Sequence, residues 1–153
     1  MASEVFEGGC QCGRRRYCVR GRSVALFACH CTECQRQSSS AFGMALWMRD
    51  YQRQVMGGGL GVWVRRTPGG RELVCEFCPE CGTRLFHQMV DQVEMLSIKP
   101  GTLDAPHGLT PIAHIWTRSA QPWVRWPAGV LCYPENPPAF DDVFAAWQRA
   151  REI

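Results

Sequence analysis

The sequence predicts a mostly β protein with short strands, tight turns and metal-binding cysteines. Fifteen glycines and ten prolines among 153 residues favour strands punctuated by turns over long helices. Ten cysteines are present, and most of them fall into three tight groups, the pattern of thiolate metal sites. Apolar residues make up 46% of the chain and charged residues 20%, so we expect residues 1–153 to form a single domain with its own core.

Strand candidates follow one another along most of the chain. Residues 14–20 alternate, which places Tyr17 and Val19 on one face and polar residues on the other. Two nearly continuous apolar runs, 24–29 and 42–48, predict strands that are buried on both faces. The remaining strands are predicted over 62–66, 71–77, 84–90, 93–98 and 112–117.

One turn and two helices complete the predicted elements. The Thr-Pro-Gly-Gly run at 67–70 predicts a hairpin, because proline and glycine supply the dihedral angles of a turn. Residues 32–38 predict a short helical turn, and residues 142–151 a C-terminal helix with Asp141 as its N-cap. Its apolar residues recur at helical spacing and predict a packed stripe: Val143, Phe144, Trp147 and Ala150.

Charge and segment composition limit the classes of partner and the compartment. The formal net charge of +3 is too mild for a nucleic-acid footprint, and thiolates bound to zinc would bring the chain close to neutral. The first residues lack a basic stretch followed by an apolar run, and no apolar segment approaches the length of a membrane span. We therefore expect a cytoplasmic protein, without a membrane partner, in which thiols bind metal instead of forming disulfides.

Two cysteine pairs predict a structural zinc site. Cys78 and Cys81 flank Pro-Glu and precede a glycine, which is the signature of a zinc knuckle. Cys10 and Cys12 lie between glycines that let the backbone bend around a metal ion. Because tetrahedral zinc takes four ligands, we expect these four cysteines to bind one ion and to link distant parts of the chain.

The third group, Cys29, Cys31 and Cys34, predicts a second zinc ion with one open position. Three protein ligands leave a coordination position vacant, as in catalytic zinc sites. His30 is expected to point away, because alternation separates it from its neighbours. The alternative is a closed site with a fourth ligand from His30, His87, His114 or Cys132. Isolated cysteines are expected to be small hydrophobes of the core or of a sheet face: Cys18, Cys75 and Cys132.

The motifs resemble one known family. They are Gly-Gly-Cys-Gln-Cys-Gly at 8–13, Cys-His-Cys-Thr-Glu-Cys at 29–34 and Phe-Cys-Pro-Glu-Cys-Gly-Thr at 77–83, with later landmarks at 101–104 and 114–116. The order and spacing are similar to those of the glutathione-dependent formaldehyde-activating enzyme family, which includes centromere protein V. The resemblance spans about residues 5–126.

The resemblance implies a fold, cofactors and a reaction. The implied fold is a β-tent of antiparallel sheets. The implied roles are structural zinc at Cys10, Cys12, Cys78 and Cys81, and catalytic zinc at Cys29, Cys31 and Cys34, with the resting occupancy of the catalytic zinc left open. The implied activity is that of a carbon–sulfur lyase, which joins formaldehyde to glutathione as S-(hydroxymethyl)glutathione or cleaves that adduct. A small glutathione-like thiol and an aldehyde are therefore the implied partners.

Residues that follow the third cysteine group are candidates for substrate contacts. Thiolate-rich zinc favours a sulfur ligand, so we expect a substrate thiolate to take the open position and attack a small aldehyde. Glu33 or His30 is a candidate proton carrier. Candidate polar and aromatic contacts are Arg36, Ser38, Ser40, Phe42, Trp47 and Trp116. Family members often carry Arg-Arg and then Ser/Thr-Gly-Ser here, whereas residues 35–40 read Gln-Arg-Gln-Ser-Ser-Ser.

Two alternatives from other functional classes stay open. The first is a non-catalytic zinc scaffold that binds protein or nucleic acid through a basic strand containing Arg14, Arg15, Arg16, Arg20 and Arg22. The second is a thiolate–zinc sensor of metal or oxidant, since exposed zinc thiolates can be oxidised.

Overall fold

The computed structural model describes residues 2–152, which divide into two compact units. Unit 1 contains the chain up to Ser23 together with Leu46–Gly108, and unit 2 contains Val24–Ala45 together with the chain from Leu109 onward. The strands are β1 (Glu4–Gly9), β2 (Arg16–Cys29), β3 (Gly43–Met56), β4 (Gly61–Arg66), β5 (Glu72–Phe77), β6 (Arg84–Met89), β7 (Leu96–Ile98), β8 (Ala113–Ile115) and β9 (Leu131–Cys132). The helices are α1 (Thr32–Ser38) and α2 (Asp141–Arg151). The mostly β prediction with two helices is confirmed, whereas the single domain stays a prediction.

Unit 1 is an antiparallel sheet in which β4, β5, β6, β7 and β3 follow one another, with β1 paired to β2. Tyr17 and Val19 of β2 are buried, whereas Arg16 and Arg20 are exposed, so the predicted alternation is confirmed. The Tyr17 ring packs edge-on against Phe86, with centroids 4.9 Å apart. This packed face, which also includes Leu46, Met48 and Ile98, is the core of unit 1.

The predicted hairpin at 67–70 joins β4 to β5. The Thr67 N–H donates to the carbonyl of Arg71 at 2.7 Å, and Gly70 adopts a positive φ of 83°. Strand β7 begins at Leu96, three residues later than predicted. The reason is that the Gln88 amide donates to the carbonyls of Val93, at 2.8 Å, and Met95, at 3.3 Å.

Two predicted strand boundaries are wrong because a strand continues where the sequence indicated an end. Segments 14–20 and 24–29 form one strand, β2, and β3 extends well beyond residue 48. At Gly21, a Cβ atom would lie 2.9 Å from the carbonyl oxygen of Arg49, so the missing side chain lets the two strands approach closely. Arg22 and Asp50 then form an ion pair at 2.9 Å.

Unit 2 contains parallel pairs, whereas the family resemblance implies antiparallel sheets. The end of β2 pairs in parallel with β8, where Phe27 faces Ala113, and β8 pairs in parallel with β9. Parallel neighbours need a long connection, and the chain between β2 and β8 supplies one. Strands β1 and β9 were not predicted, since one is rich in glycine and the other has only two residues. Cys75 is buried and Cys18 half-buried, as expected, whereas Cys132 is exposed.

Helix α2 begins one residue earlier than predicted, so Asp141 is its first residue instead of its N-cap. Phe140 occupies the N-cap position without a side-chain cap. Its ring lies 5.7 Å from that of Phe27, so aromatic packing fixes where the helix begins. Val143 and Trp147 are buried, as the stripe predicted, but Ala150 is exposed in the last turn.

Candidate metal centres

Four cysteine sulfurs of unit 1 converge on one point. The Sγ atoms of Cys10, Cys12, Cys78 and Cys81 all lie within 4.8 Å of one another. The Cys10–Cys12 distance is 3.5 Å and the Cys12–Cys78 distance is 3.8 Å. Tetrahedral zinc with Zn–S bonds of about 2.3 Å places neighbouring sulfurs about 3.8 Å apart. These four residues therefore fit a closed tetrahedral site, and we name them the four-cysteine group.

Each half of the four-cysteine group is a tight turn that ends on a glycine. The Gly13 N–H donates to the carbonyl of Cys10 at 3.0 Å, and the Gly82 N–H donates to the carbonyl of Cys78 at 2.8 Å. Both glycines have positive φ, 78° and 77°, a conformation that costs other residues energy. The two turns thus bring the thiols of each pair to the same side of the backbone.

Thr83 connects the two turns of the four-cysteine group. Its Oγ1 lies 3.2 Å from the Sγ of Cys81 and accepts the Gln11 N–H at 3.0 Å. The hydroxyl and the backbone N–H of Thr83 lower the pKa of the Cys81 thiol to about 5, which favours the metal-binding thiolate. The sequence analysis missed this contact, although a hydroxyl residue two positions after Cys81 was a signal for it.

Three cysteine sulfurs of unit 2 form a second group, the three-cysteine group. The Sγ atoms of Cys29, Cys31 and Cys34 lie within 4.8 Å of one another. Cys29 is the last residue of β2, Cys31 is the N-cap of α1 and Cys34 lies in the first helical turn. The Cys31 sulfur accepts the Cys34 N–H at 3.3 Å. The strand end and the helix start therefore aim three thiols at one point, as the sequence predicted.

The thiols of the three-cysteine group influence one another strongly. Hydrogen bonds from the Cys29 and Cys34 thiols lower the pKa of Cys31 to about 2. Hydrogen bonds with the Cys31 and Cys34 thiols raise the pKa of Cys29, and burial adds to that rise. Crowded thiols of this kind are ready to exchange their protons for a metal ion, which relieves the repulsion between thiolates.

Within residues 2–152, no histidine or carboxylate and no further cysteine joins the three-cysteine group at this distance. His30 is buried and its Nε2 lies 2.9 Å from the Nδ1 of His114, so the two rings bond to each other. Burial lowers the pKa of both histidines, and the His114 charge adds to the shift at His30. The chain thus offers three ligands here, which fits a metal ion with an open position.

Neutral side chains fix helix α1 beside the three-cysteine group. The Gln35 amide donates to the carbonyls of His30, at 2.8 Å, and Ser119, at 2.9 Å, and accepts from the Gln121 amide at 2.8 Å. The Ser38 hydroxyl lies 2.8 Å from the carbonyl oxygen of Cys34 and 2.9 Å from that of Phe42. Ser38 therefore has a structural contact, and Gln35 is an anchoring residue that the sequence analysis did not identify.

The remaining substrate candidates are in different environments. Arg36 and Ser40 line a cavity of about 430 Å³, whose other walls are Gln35, Ser39, Ala41, Gln121 and Trp123. Arg36 also lies 3.8 Å from the Glu33 carboxylate. The Phe42 ring packs on His30, with centroids 5.1 Å apart, and the Trp116 indole N–H donates to Asn136 at 3.0 Å. The structure thus brings two of the polar candidates together, and it gives Phe42 a packing contact and Trp116 a hydrogen bond.

In the described part of the chain, no helix has both the length and the apolar character needed to cross a membrane.

Known proteins place the chain in a family. A crystal structure of a Rhodobacter sphaeroides protein is similar in fold, with a TM-score of 0.50 and 19% sequence identity over 84% of this chain and 99% of that one. No curated protein matches the sequence. The family model described as glutathione-dependent formaldehyde-activating enzyme matches residues 5–119, which include both cysteine groups. With well over half of its length matched, the chain belongs to the glutathione-dependent formaldehyde-activating enzyme family.

Proposed function

We propose that the protein is a zinc-dependent carbon–sulfur lyase that acts on a small thiol–aldehyde adduct similar to S-(hydroxymethyl)glutathione. The observation that carries this proposal is the three-cysteine group, whose sulfurs converge without a fourth ligand from residues 2–152. Family membership supports a small thiol as substrate. The four-cysteine group has the complete ligand set of a structural zinc site, so the two groups would divide stability and chemistry between them.

Cys29, Cys31 and Cys34 would hold the reactive zinc ion. Zinc at that position would supply a soft Lewis acid that stabilises a substrate sulfur as its thiolate. The Cys34 N–H that donates to the Cys31 sulfur keeps that ligand in its thiolate form. Gln35 and Ser38 hold the helix that carries Cys34, so the spacing of the sulfurs is set before substrate binds.

The proposed reaction balances without an oxidant or reductant. In the joining direction, the thiol sulfur bonds to the carbonyl carbon of the aldehyde, and the carbonyl oxygen gains the proton that the thiol lost. Cleavage is the reverse, with loss of the hydroxyl proton and breakage of the carbon–sulfur bond. Glu33 is the better candidate proton carrier, because its carboxylate is partly exposed whereas His30 is bonded to His114.

The cavity beside α1 suits a polar, anionic thiol. Arg36 supplies a positive charge, and its side chain is 82% exposed, so it can turn toward a bound carboxylate. Ser40 and Gln121 add polar groups to the same cavity, and Trp123 adds an apolar wall. A peptide thiol with free carboxylates, such as glutathione, has the matching chemistry.

The proposal is tested by Cys31→Ala, with Cys18→Ala as the matched control. Cys18 lies on β2 outside both cysteine groups, so its replacement removes a thiol but no expected ligand. We expect Cys31→Ala to lose about one zinc ion per chain and all thiol–aldehyde adduct formation, while the circular dichroism spectrum is retained. Adduct formation is followed by NMR with glutathione and formaldehyde. Full activity in Cys31→Ala would contradict the proposal.

The scaffold alternative gains no support from the basic strand. Three of its arginines form ion pairs with carboxylates: Arg15 with Glu80, Arg16 with Asp104 and Arg22 with Asp50. Their charge is therefore largely neutralised within the chain, and little of it is left to attract phosphate.

A further inference from the structure

A row of five side chains crosses the sheet of unit 1 on one face. Strand pairing places Trp63 opposite Cys75, Cys75 opposite His87, His87 opposite Ser97, and Ser97 opposite Trp47. Directly paired residues point to the same side of a sheet, so these five share a face. The other face carries the apolar core that contains Leu46, Phe86 and Ile98. The row therefore lies on the second, more polar face.

Three cations surround the middle of this row. Arg65 lies two residues beyond Trp63 on β4, Lys99 lies two residues beyond Ser97, and the Arg84 side chain reaches His87. The Arg84 Nη1 is 2.8 Å from the His87 Nε2, and its guanidinium carbon is 5.9 Å from the centre of the Trp63 ring. The three cations thus come from β4, β6 and the residue that follows β7.

His87 is neutral in this setting, and its Nε2 accepts a hydrogen bond from an N–H of Arg84. Burial, followed by the charges of Lys99, Arg84 and Arg65, lowers the pKa of His87 to about 2. The same three cations lower the pKa of the buried Cys75 thiol, against a larger rise caused by its burial. Three positive charges therefore act on the middle of the row.

Two of the cations have no carboxylate partner within residues 2–152. Arg65 and Arg84 are both half-buried and form no ion pair there, whereas Arg53, Arg66 and Arg71 of the same unit each pair with an acid. A half-buried guanidinium without a counter-ion is unfavourable. Arg84 gives one N–H to His87 and also interacts with the Cys75 thiol, and its guanidinium retains further N–H donors for a bidentate contact.

We propose that Arg65, Arg84 and Lys99 form a binding site in unit 1 for a phosphate group, with Trp63 as an apolar wall beside it. Phosphate is favoured over a carboxylate because its charge approaches −2 at neutral pH and because guanidinium groups bind it through two parallel hydrogen bonds. Trp63 is 52% exposed and can stack on an organic substituent of a phosphate ester. The site uses none of the cysteine groups and does not depend on the proposed lyase activity.

The test is isothermal titration calorimetry of the zinc-loaded protein with inorganic phosphate at pH 7.5 and low salt. We expect Arg84→Gln to weaken phosphate binding about tenfold or more, since a charge-assisted contact is lost. Arg20→Gln is the charge-matched control, because Arg20 is exposed on β2 and far along the sequence from the row. Equal weakening in Arg20→Gln, or no weakening in Arg84→Gln, would overturn the proposal.

Further arms separate the sources of phosphate and guard against misfolding. If the protein binds phenyl phosphate more tightly than inorganic phosphate, and this binding is lost in Trp63→Ala, the ligand is a phosphate ester. If it binds phenyl phosphate and inorganic phosphate equally well, the ligand is free phosphate. Arg65→Gln repeats the test from a different strand if Arg84→Gln fails to fold. We expect Cys31→Ala to retain phosphate binding, which keeps this result independent of the lyase proposal. Tighter binding of acetate than of phosphate would contradict the proposed class of anion.

Discussion

The two cysteine groups differ in where their ligands come from and in how they are completed. The four-cysteine group joins two turns that are far apart along the chain, with 66 positions from Cys12 to Cys78, and its sulfurs form a complete tetrahedral set. The three-cysteine group comes from six consecutive residues at a strand-to-helix junction and has no fourth ligand within residues 2–152. Metal at the first group closes a long loop, whereas metal at the second closes a short one. The comparison teaches that ligand separation along the chain indicates a role in stability, and that an incomplete set indicates a role in chemistry.

The largest effect that would sharpen this comparison is expected for Cys81→Ala. Loss of one of four ligands removes a structural zinc ion, and such ions contribute on the order of 10 kcal/mol to small metal-stabilised folds. We expect the variant to lose native circular dichroism and to bind about one zinc ion less, whereas Cys31→Ala keeps its fold. Equal melting temperatures for the two variants would remove the distinction between structural and reactive groups.

A smaller effect is expected for Thr83→Val, which keeps the shape of the side chain and removes the hydroxyl. The contact with the Cys81 sulfur and the acceptor for the Gln11 N–H are both lost. Loss of such an outer contact costs about 10- to 100-fold in metal affinity. Competition with a zinc chelator measures that change at the four-cysteine group, and Thr67→Val on the hairpin turn is the matched control. An unchanged affinity would show that the ligands alone determine binding.

The smallest effect is the loss of stability in acid that is caused by the half-buried His87. The pKa of His87 is about 2 in the folded chain and about 6.5 when the chain unfolds, so only the unfolded state gains a proton as the pH falls below 6.5. The contribution of His87 is complete above that pH and decreases by about 1 kcal/mol between pH 6 and pH 5. We expect His87→Gln to lose less stability than the parent chain over that interval in urea titrations. Parallel curves for the two proteins would contradict the shift.

Local patterns predicted the cysteine groups well because their geometry is determined within a few residues. The exact bounds of α1 and the convergence of Cys29, Cys31 and Cys34 follow from a strand end, a cap and one helical turn. The Sγ atoms of Cys10 and Cys12 also lie within 4.8 Å of those of the knuckle. That proximity was predictable because a tetrahedral ion needs four ligands and only one pair was flanked by glycines.

The features that could not be predicted depend on contacts between distant residues. Parallel pairing of β8 with β2 and the continuity of β2 through Gly21 are set by tertiary packing. The N-cap of α2 was misplaced because Phe140 packs on Phe27, which no local pattern reveals. Thr83 accepts the Gln11 N–H and Gln35 donates to the carbonyl of Ser119, and no local pattern reveals partners so far away along the chain.

The anchoring of α1 by Gln35 has a consequence for kinetic measurements. All three hydrogen bonds of its amide join uncharged groups, so they neither titrate nor weaken when salt screens charge. The support of the helix should therefore stay the same from acidic to alkaline buffer and from low to high ionic strength. A pH–rate profile or a salt titration of this protein would report on the reacting groups themselves, uncomplicated by movement of the helix that carries Cys34.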